Sequence, residues 1–225
     1  MKTEKLSGNG SEIIVIFPVF NDWNVAGVLL NSLDDVLFAN GLRADVLAID
    51  DGSTISFSDE INLGKTYRAL NRVDVLELGR NLGHQRAITV ALSYVEENRP
   101  CEIVVVMDAD GEDDPRHIPA LLKEFRNEKG RKIVFAGRTK RSEGIIFRFF
   151  YRIYKLFYKI FTGSRIRVGN FCIIPYNILP KIVLLSEIWN HFSAGILRSR
   201  IPYVEIPAER GRRLAQHRDD RQRAR

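Results

Sequence analysis

Five short apolar runs, rich in β-branched residues, recur along this chain and are separated by segments of helical period. The runs are EIIVIFPV (12–19), ADVLAID (44–50), VDVLELG (73–79), EIVVVMD (102–108) and KIVFAG (132–137). Between them lie the amphipathic segments VAGVLLNSLDDVLF (25–38), HQRAITVALSYVEEN (84–98) and PRHIPALLKEFRNE (115–128). Runs without polar alternation predict strands buried on both faces, and strands separated by helices predict a mostly parallel sheet flanked by helices. The fold class is therefore α/β. With 225 residues and 45% hydrophobic content, the chain can bury one core as a single domain. That domain is expected over residues 1–209, with a basic C-terminal tail over 210–225 whose last dozen residues read as disordered.

In such sheets ligands sit beyond the carboxyl ends of the strands. Polar residues gather at those ends: Asn21 and Asp22, Asp50 and Asp51, Asp108 and Asp110, and Arg138. In IDDGST (49–54) an Asp-Gly turn with a capping Ser or Thr explains the pattern as well as a ligand does. A functional aspartate there would accept hydrogen bonds from a nucleobase or ribose. In MDADGEDDP (107–115), Asp108 and Asp110 at a strand end can face one point and offer a hard divalent cation two oxygens. Asp114 before Pro115 reads as a helix N-cap, Glu112 as solvated, and Asp113 as a candidate base or acceptor-orienting group. GRNLGHQRA (79–87) matches neither common phosphate-binding glycine motif; its glycines allow a tight turn, or bring backbone and Asn81 close to a ligand. The four histidines show no metal-ligand spacing and read as structural or surface residues.

The net charge of +6 conceals an uneven distribution: residues 138–167 carry +8, residues 210–225 carry +5, and the remainder is −7. The segment GIIFRFFYRIYKLFYKIFTG (144–163) places Arg148, Arg152, Lys155 and Lys159 on one helical stripe amid aromatic and aliphatic residues. Central charges argue against a spanning helix, whereas a basic amphipathic helix near 145–161 lying in a membrane interface fits better. The alternative is a core helix with a snorkelling basic face. No run of eighteen apolar residues and no signal peptide is legible, and two unpaired-looking cysteines suit a reducing compartment. The expected location is the cytoplasmic face of a membrane, held peripherally. Basic segments laced with apolar residues beside an acidic body argue against a nucleic-acid partner.

FPVFND, IDDGST, GRNLGHQRAITVAL, MDADGEDDP and AGRTKR occur in an order and spacing that resembles family 2 glycosyltransferases of the GT-A, Rossmann-like fold. Within that family the chain is most similar to polyprenyl-phosphate glycosyltransferases, the group that includes dolichol-phosphate mannose synthases. The resemblance covers about residues 12 to 213. It implies an inverting transfer from a nucleotide-sugar donor to an undecaprenyl or dolichyl phosphate, with Mg²⁺ or Mn²⁺ as cofactor. It implies donor contacts at Pro18, Asp22, Asp50 or Asp51, Asn81 and Asp108, and a metal pair at Asp108 and Asp110. It also implies an acceptor phosphate at Arg138, aided by Arg148 and Arg152, and closure over the diphosphate by Arg210 or Arg212. The catalytic set would be Asp108, Asp110, Asp113 and Arg138. GNF (169–171) stands where the family often has Gly-Asp-Phe, and after RGRR the sequence runs LAQHRDDRQRAR rather than into a glycine- and serine-containing loop and apolar helices. Three other readings stay open: transfer to a saccharide hydroxyl, an inactive donor-binding or membrane scaffold, and a phosphoacceptor whose aspartates hold Mg²⁺. Self-association is compatible with all of them.

Overall fold

The computed structural model describes residues 12–57, 65–138, 168–211 and 213–214. Strand β1 (Ile13–Val19) is buried along its whole length and pairs in parallel with β2 (Ala44–Asp50) on one side and β4 (Ile103–Val106) on the other. Strand β3 (Leu70–Glu77) extends the parallel set beyond β2. The full order is β3-β2-β1-β4-β6-β5-β7, with β5 at Ile133–Arg138, β6 at Val168–Pro175 and β7 at Tyr203–Ala208. Strand β6 runs antiparallel to both β4 and β5, whereas β5 and β7 are parallel. The expected mostly parallel sheet is present, with one reversed strand inside it.

The period of two in β1 divides the core between the sheet's faces. Val15, Phe17 and Val19 join one cluster with Leu30, Leu33 and Leu37 of helix α1 (Trp23–Ala39) and Leu121 and Phe125 of α3 (Ile118–Asn127). Ile14 and Ile16 join the other with Ile88, Leu92 and Val95 of α2 (His84–Asn98), and with the short helices α4 (Leu179–Ile182) and α5 (Phe192–Arg198). The segment expected as one helix over 115–128 opens instead as a 3₁₀ turn, Pro115–His117, before α3. Asp114 accepts from the Arg116 N–H at 2.9 Å with Pro115 following, as its N-cap reading requires.

Strand β4 is shorter than its apolar run. Its pairing with β1 ends at Val106, and Met107 N–H still donates to Ile16 O at 3.1 Å before the chain turns. Asp108 and Asp110 therefore belong to a loop, with Gly111 at φ 84°, and not to a pleated strand end. Because β6 is reversed, its first residues lie at the edge where β1, β2 and β4 finish: Cys172 pairs with Val106 and Val168 with Gly137. Among the described residues no helix is long and apolar enough to cross a membrane.

Candidate active site

At that edge a cleft of about 450 Å³ is lined by Pro18, Asp22, Asp51, Asn81, Asp108 and Asp110, together with Val19, Phe20, Val25, Gly83, His84, Ala109, Arg213 and Leu214. Local sequence explains how each wall is set. After β1 the chain turns at Asn21, whose φ of 57° suits asparagine better than most residues. Its Oδ1 accepts from Thr54 N at 2.8 Å and Ile55 N at 3.3 Å, and its own N–H donates to Ser53 Oγ at 2.9 Å. Ser53 and Thr54 thus clamp the β1 and β2 loops together.

The neighbouring aspartates behave differently. Asp50 Oδ1 accepts from Ser53 N at 2.7 Å, closing its own turn, and Asp50 is not on the cleft wall. Asp51 lines the cleft and is only 2% exposed. Its two oxygens accept from Leu82 N at 2.7 Å and Gly83 N at 3.0 Å, which fixes the loop carrying Asn81 and the start of α2. Gly52 permits this approach: it sits at φ 74°, and a Cβ there would stand 2.5 Å from Arg80 C and Asn81 N.

The acidic loop is braced from within. Asp108 N–H donates to Asp113 Oδ2 at 2.8 Å, and Glu112 N–H donates to Asp110 Oδ1 at 3.0 Å. His84 Nε2 lies 3.0 Å from Asp108 Oδ1, and Asn170 Nδ2 lies 3.3 Å from the same oxygen and 2.8 Å from His84 Nε2. Burial draws the His84 imidazole down, but the Asp108 hydrogen bond and the charges of Asp108, Asp110 and Asp113 carry it above its ordinary value. Burial and then the Asp108 charge raise the Asp110 carboxyl, opposed by Arg213, Arg210 and His84.

A C-terminal strap crosses this loop. Arg210 pairs with Glu112, so Glu112 is not the solvated acid expected of it. Gly211 N–H donates to Glu112 O at 2.9 Å, Leu214 N–H to Asp110 O at 2.8 Å, and Arg213 Nε stands 3.3 Å from Asp110 Oδ2. A Cβ on Gly211 would fall 2.1 Å from Gly111 O, so only glycine lies this close. Behind the loop, Asp113 and Arg210 border a second recess of about 20 Å³ with Ala136 and Gly169.

Arg138 ends β5, and its side chain lies outside the described residues, as do Arg148, Arg152, Arg212 and the basic segment near 145–161. Two cleft-lining residues were not selected as site residues from sequence, His84 and Arg213, and nor was Asn170, which contacts Asp108 from β6. The available signals were the GHQ at the start of α2, the polar residue inside the β6 run, and the third arginine of RGRR.

The donor set suits a divalent ion shared with phosphate. Two like-charged carboxylates face one cleft, and a hard cation takes one or two such ligands plus phosphate oxygens and water. Among the described residues no group of three or more His, Cys, Asp or Glu side chains could hold a metal by itself.

A family model described as glycosyl transferase family 2 matches residues 14–184. The uncharacterized glycosyltransferase YkcC of Bacillus subtilis is 26% identical over 189 residues, covering 81% of this chain and 55% of that protein. The undecaprenyl-phosphate 4-deoxy-4-formamido-L-arabinose transferase of Klebsiella pneumoniae is 28% identical over 134 residues, covering 60% of this chain and 39% of that protein. The chain thus spans about half or less of the length of these curated relatives. The solved mannosyltransferase PcManGT from Pyrobaculum calidifontis, in complex with GDP-Man and Mn²⁺, superposes with a TM-score of 0.60 at 18% identity. The match covers 93% of this chain and 59% of that one, and the shared fold is GT-A.

Proposed function

The chain belongs to glycosyl transferase family 2, and from that premise we propose that it moves a sugar from a nucleotide-sugar donor to a polyprenyl phosphate at a membrane surface. The observation that carries the donor half is convergence: Asp22, Asp51, Asn81, Asp108 and Asp110 come from four separate segments and line one cleft. Asp108 and Asp110 would hold Mg²⁺ or Mn²⁺. When bound, such an ion offsets the charge of a departing nucleoside diphosphate. Asp51 holds the Asn81–His84 loop in place through backbone amides, so its part in donor binding is positioning.

The acceptor half rests on chemistry. Asp113 Oδ2 accepts from the Asp108 amide, which ties this carboxylate to the acidic loop. An acceptor that arrives ionised needs no strong base, and a lipid phosphate is ionised at neutral pH. Arginines suit such an oxygen through bidentate contacts; Arg138, Arg148 and Arg152 are assigned that role, with Arg210 or Arg212 closing on the diphosphate. The aromatic, basic stretch at 144–163 supplies a reason for membrane contact. The Klebsiella pneumoniae relative is an undecaprenyl-phosphate 4-deoxy-4-formamido-L-arabinose transferase, in keeping with this acceptor. The test incubates the protein with Mn²⁺ or Mg²⁺, labelled nucleotide sugars and undecaprenyl phosphate, beside a panel of saccharides. Labelled lipid is expected; labelled saccharide without labelled lipid would select the hydroxyl-acceptor reading.

A further inference from the structure

The strap over the acidic loop brings a fixed cation to the oxygen that a metal would use. We propose that Arg213 is the cleft's resident counter-charge, and that its guanidinium and a divalent metal ion exclude each other at Asp110. This rests on the metal reading above and adds a residue to it that neither the motif nor the family match singles out.

Four contacts support the assignment. Arg213 Nε lies 3.3 Å from Asp110 Oδ2. Leu214 N–H, one residue on, donates to Asp110 O at 2.8 Å, so the backbone beside the guanidinium is tied to the residue it neutralises. Gly211 N–H donates to Glu112 O at 2.9 Å, and Arg210 pairs with Glu112. The strap is therefore registered residue by residue against the loop, and the absence of Cβ space at Gly211 makes that register specific. Arg213 and Leu214 both form part of the cleft wall, so the strap closes the donor cavity and does not lie elsewhere on the surface.

Electrostatics gives the arrangement its consequence. Asp110 is half-buried beside Asp108, and two carboxylates facing one cavity favour any cation that reaches them. A guanidinium in contact with one of those oxygens supplies part of that compensation. A divalent ion on the same carboxylate would repel the guanidinium at short range, where solvent screens poorly. Metal binding therefore includes the displacement of Arg213. The backbone beside it is still anchored through the Leu214 amide, which leaves the guanidinium within the cavity that would hold a donor's diphosphate, an anion it can meet bidentately.

The experiment measures Mn²⁺ affinity without nucleotide, by electron paramagnetic resonance of the free ion, in the wild-type chain and in Arg213→Gln, Arg213→Lys and Asp110→Asn. Arg213 is an exposed side chain, so its two substitutions leave the fold intact. Arg213→Gln is expected to bind Mn²⁺ about fivefold tighter than wild type, the scale of one partly exposed charge pair. Arg213→Lys, which keeps the charge, should remain near wild type, and Asp110→Asn should lose most binding. Unchanged or weaker binding in Arg213→Gln, while wild type binds and Asp110→Asn does not, overturns the inference and leaves the metal reading standing. Equal tightening in the Gln and Lys variants also overturns it, by tracing the effect to packing. No Mn²⁺ binding by any variant, with or without UDP or GDP, removes the metal reading and the inference with it.

Discussion

Asp51→Asn separates two roles that one aspartate could play at a donor cleft. The side chain is 2% exposed and accepts two backbone N–H groups, from Leu82 at 2.7 Å and Gly83 at 3.0 Å. Asparagine keeps the shape but has one acceptor oxygen, so one amide keeps a weaker, neutral bond and the other faces an NH₂ donor. Losing a hydrogen bond to a charged group costs about 1.5–3 kcal/mol, and stranding a buried donor costs about 1–3 kcal/mol. Relief from burying a charge offsets part of this. The expected loss is about 2–4 kcal/mol in urea unfolding, with an unchanged m-value. Because the same bonds hold Asn81, Gly83 and His84 on the cleft wall, UDP or GDP binding should weaken in parallel. A direct nucleoside contact alone would instead weaken binding at unchanged stability. Stability within about 0.5 kcal/mol of wild type would refute the tether and return Asp51 to a ligand-contact role. Asp50→Asn is the internal control: among the described residues its carboxylate accepts one backbone amide, Ser53 N, and asparagine retains an acceptor for it, which predicts a loss of about 1 kcal/mol or less.

Two further outcomes follow from the same contacts. Thermal stabilisation by a nucleoside diphosphate with Mn²⁺ should vanish in Asp108→Ala and in Asp110→Ala, and stabilisation that survives both would sink the metal assignment. In α1, Asp34 accepts from Ala69 N at 2.7 Å and Arg68 Nε at 3.0 Å; burial raises its carboxyl, but the Ala69 and Arg68 contacts outweigh that and hold it below the usual 3.8. A depressed carboxyl contributes stability above its unfolded value and loses it as pH falls through its folded one, so the melting-temperature gap between wild type and Asp34→Ala should be steady above about pH 5 and narrow as pH falls below the usual carboxylate value; a gap of constant size down to acid pH would refute the linkage.

The sequence patterns that revealed the fold were those that burial dictates. β1, β2 and the full span of α2 were legible because a fully buried strand and an amphipathic helix leave strong periodic signatures. β6 was harder because Gly169 and Asn170 interrupt its apolar run, and β7 because its partly exposed residues and Pro207 weaken the strand pattern. In the site, residue type announced Asp108 and Asp110, but only the backbone path shows that a loop aims them. Sequence could not show that Asp51 receives amides from 31 and 32 residues away. Nor could it bring Asn170 beside Asp108, which depends on β6 running backwards between β4 and β5. His84 showed no metal-ligand spacing, although it lies within GRNLGHQRAITVAL; its position at the first turn of α2 places it against Asp108.

The order in which the site's charges appear along the chain matters for a nascent polypeptide. Asp108, Asp110 and Glu112 precede Arg210 and Arg213 by roughly a hundred residues, which at about 5–20 residues per second is several seconds or more of synthesis. Until the strap emerges, the acidic loop lacks these two cationic neighbours, although β6, which precedes the strap in the sequence, is already available to flank β4. The half of the sheet that meets the donor is thus built first and sealed last, so a translating chain passes through a stage in which its most acidic surface is also its least covered one.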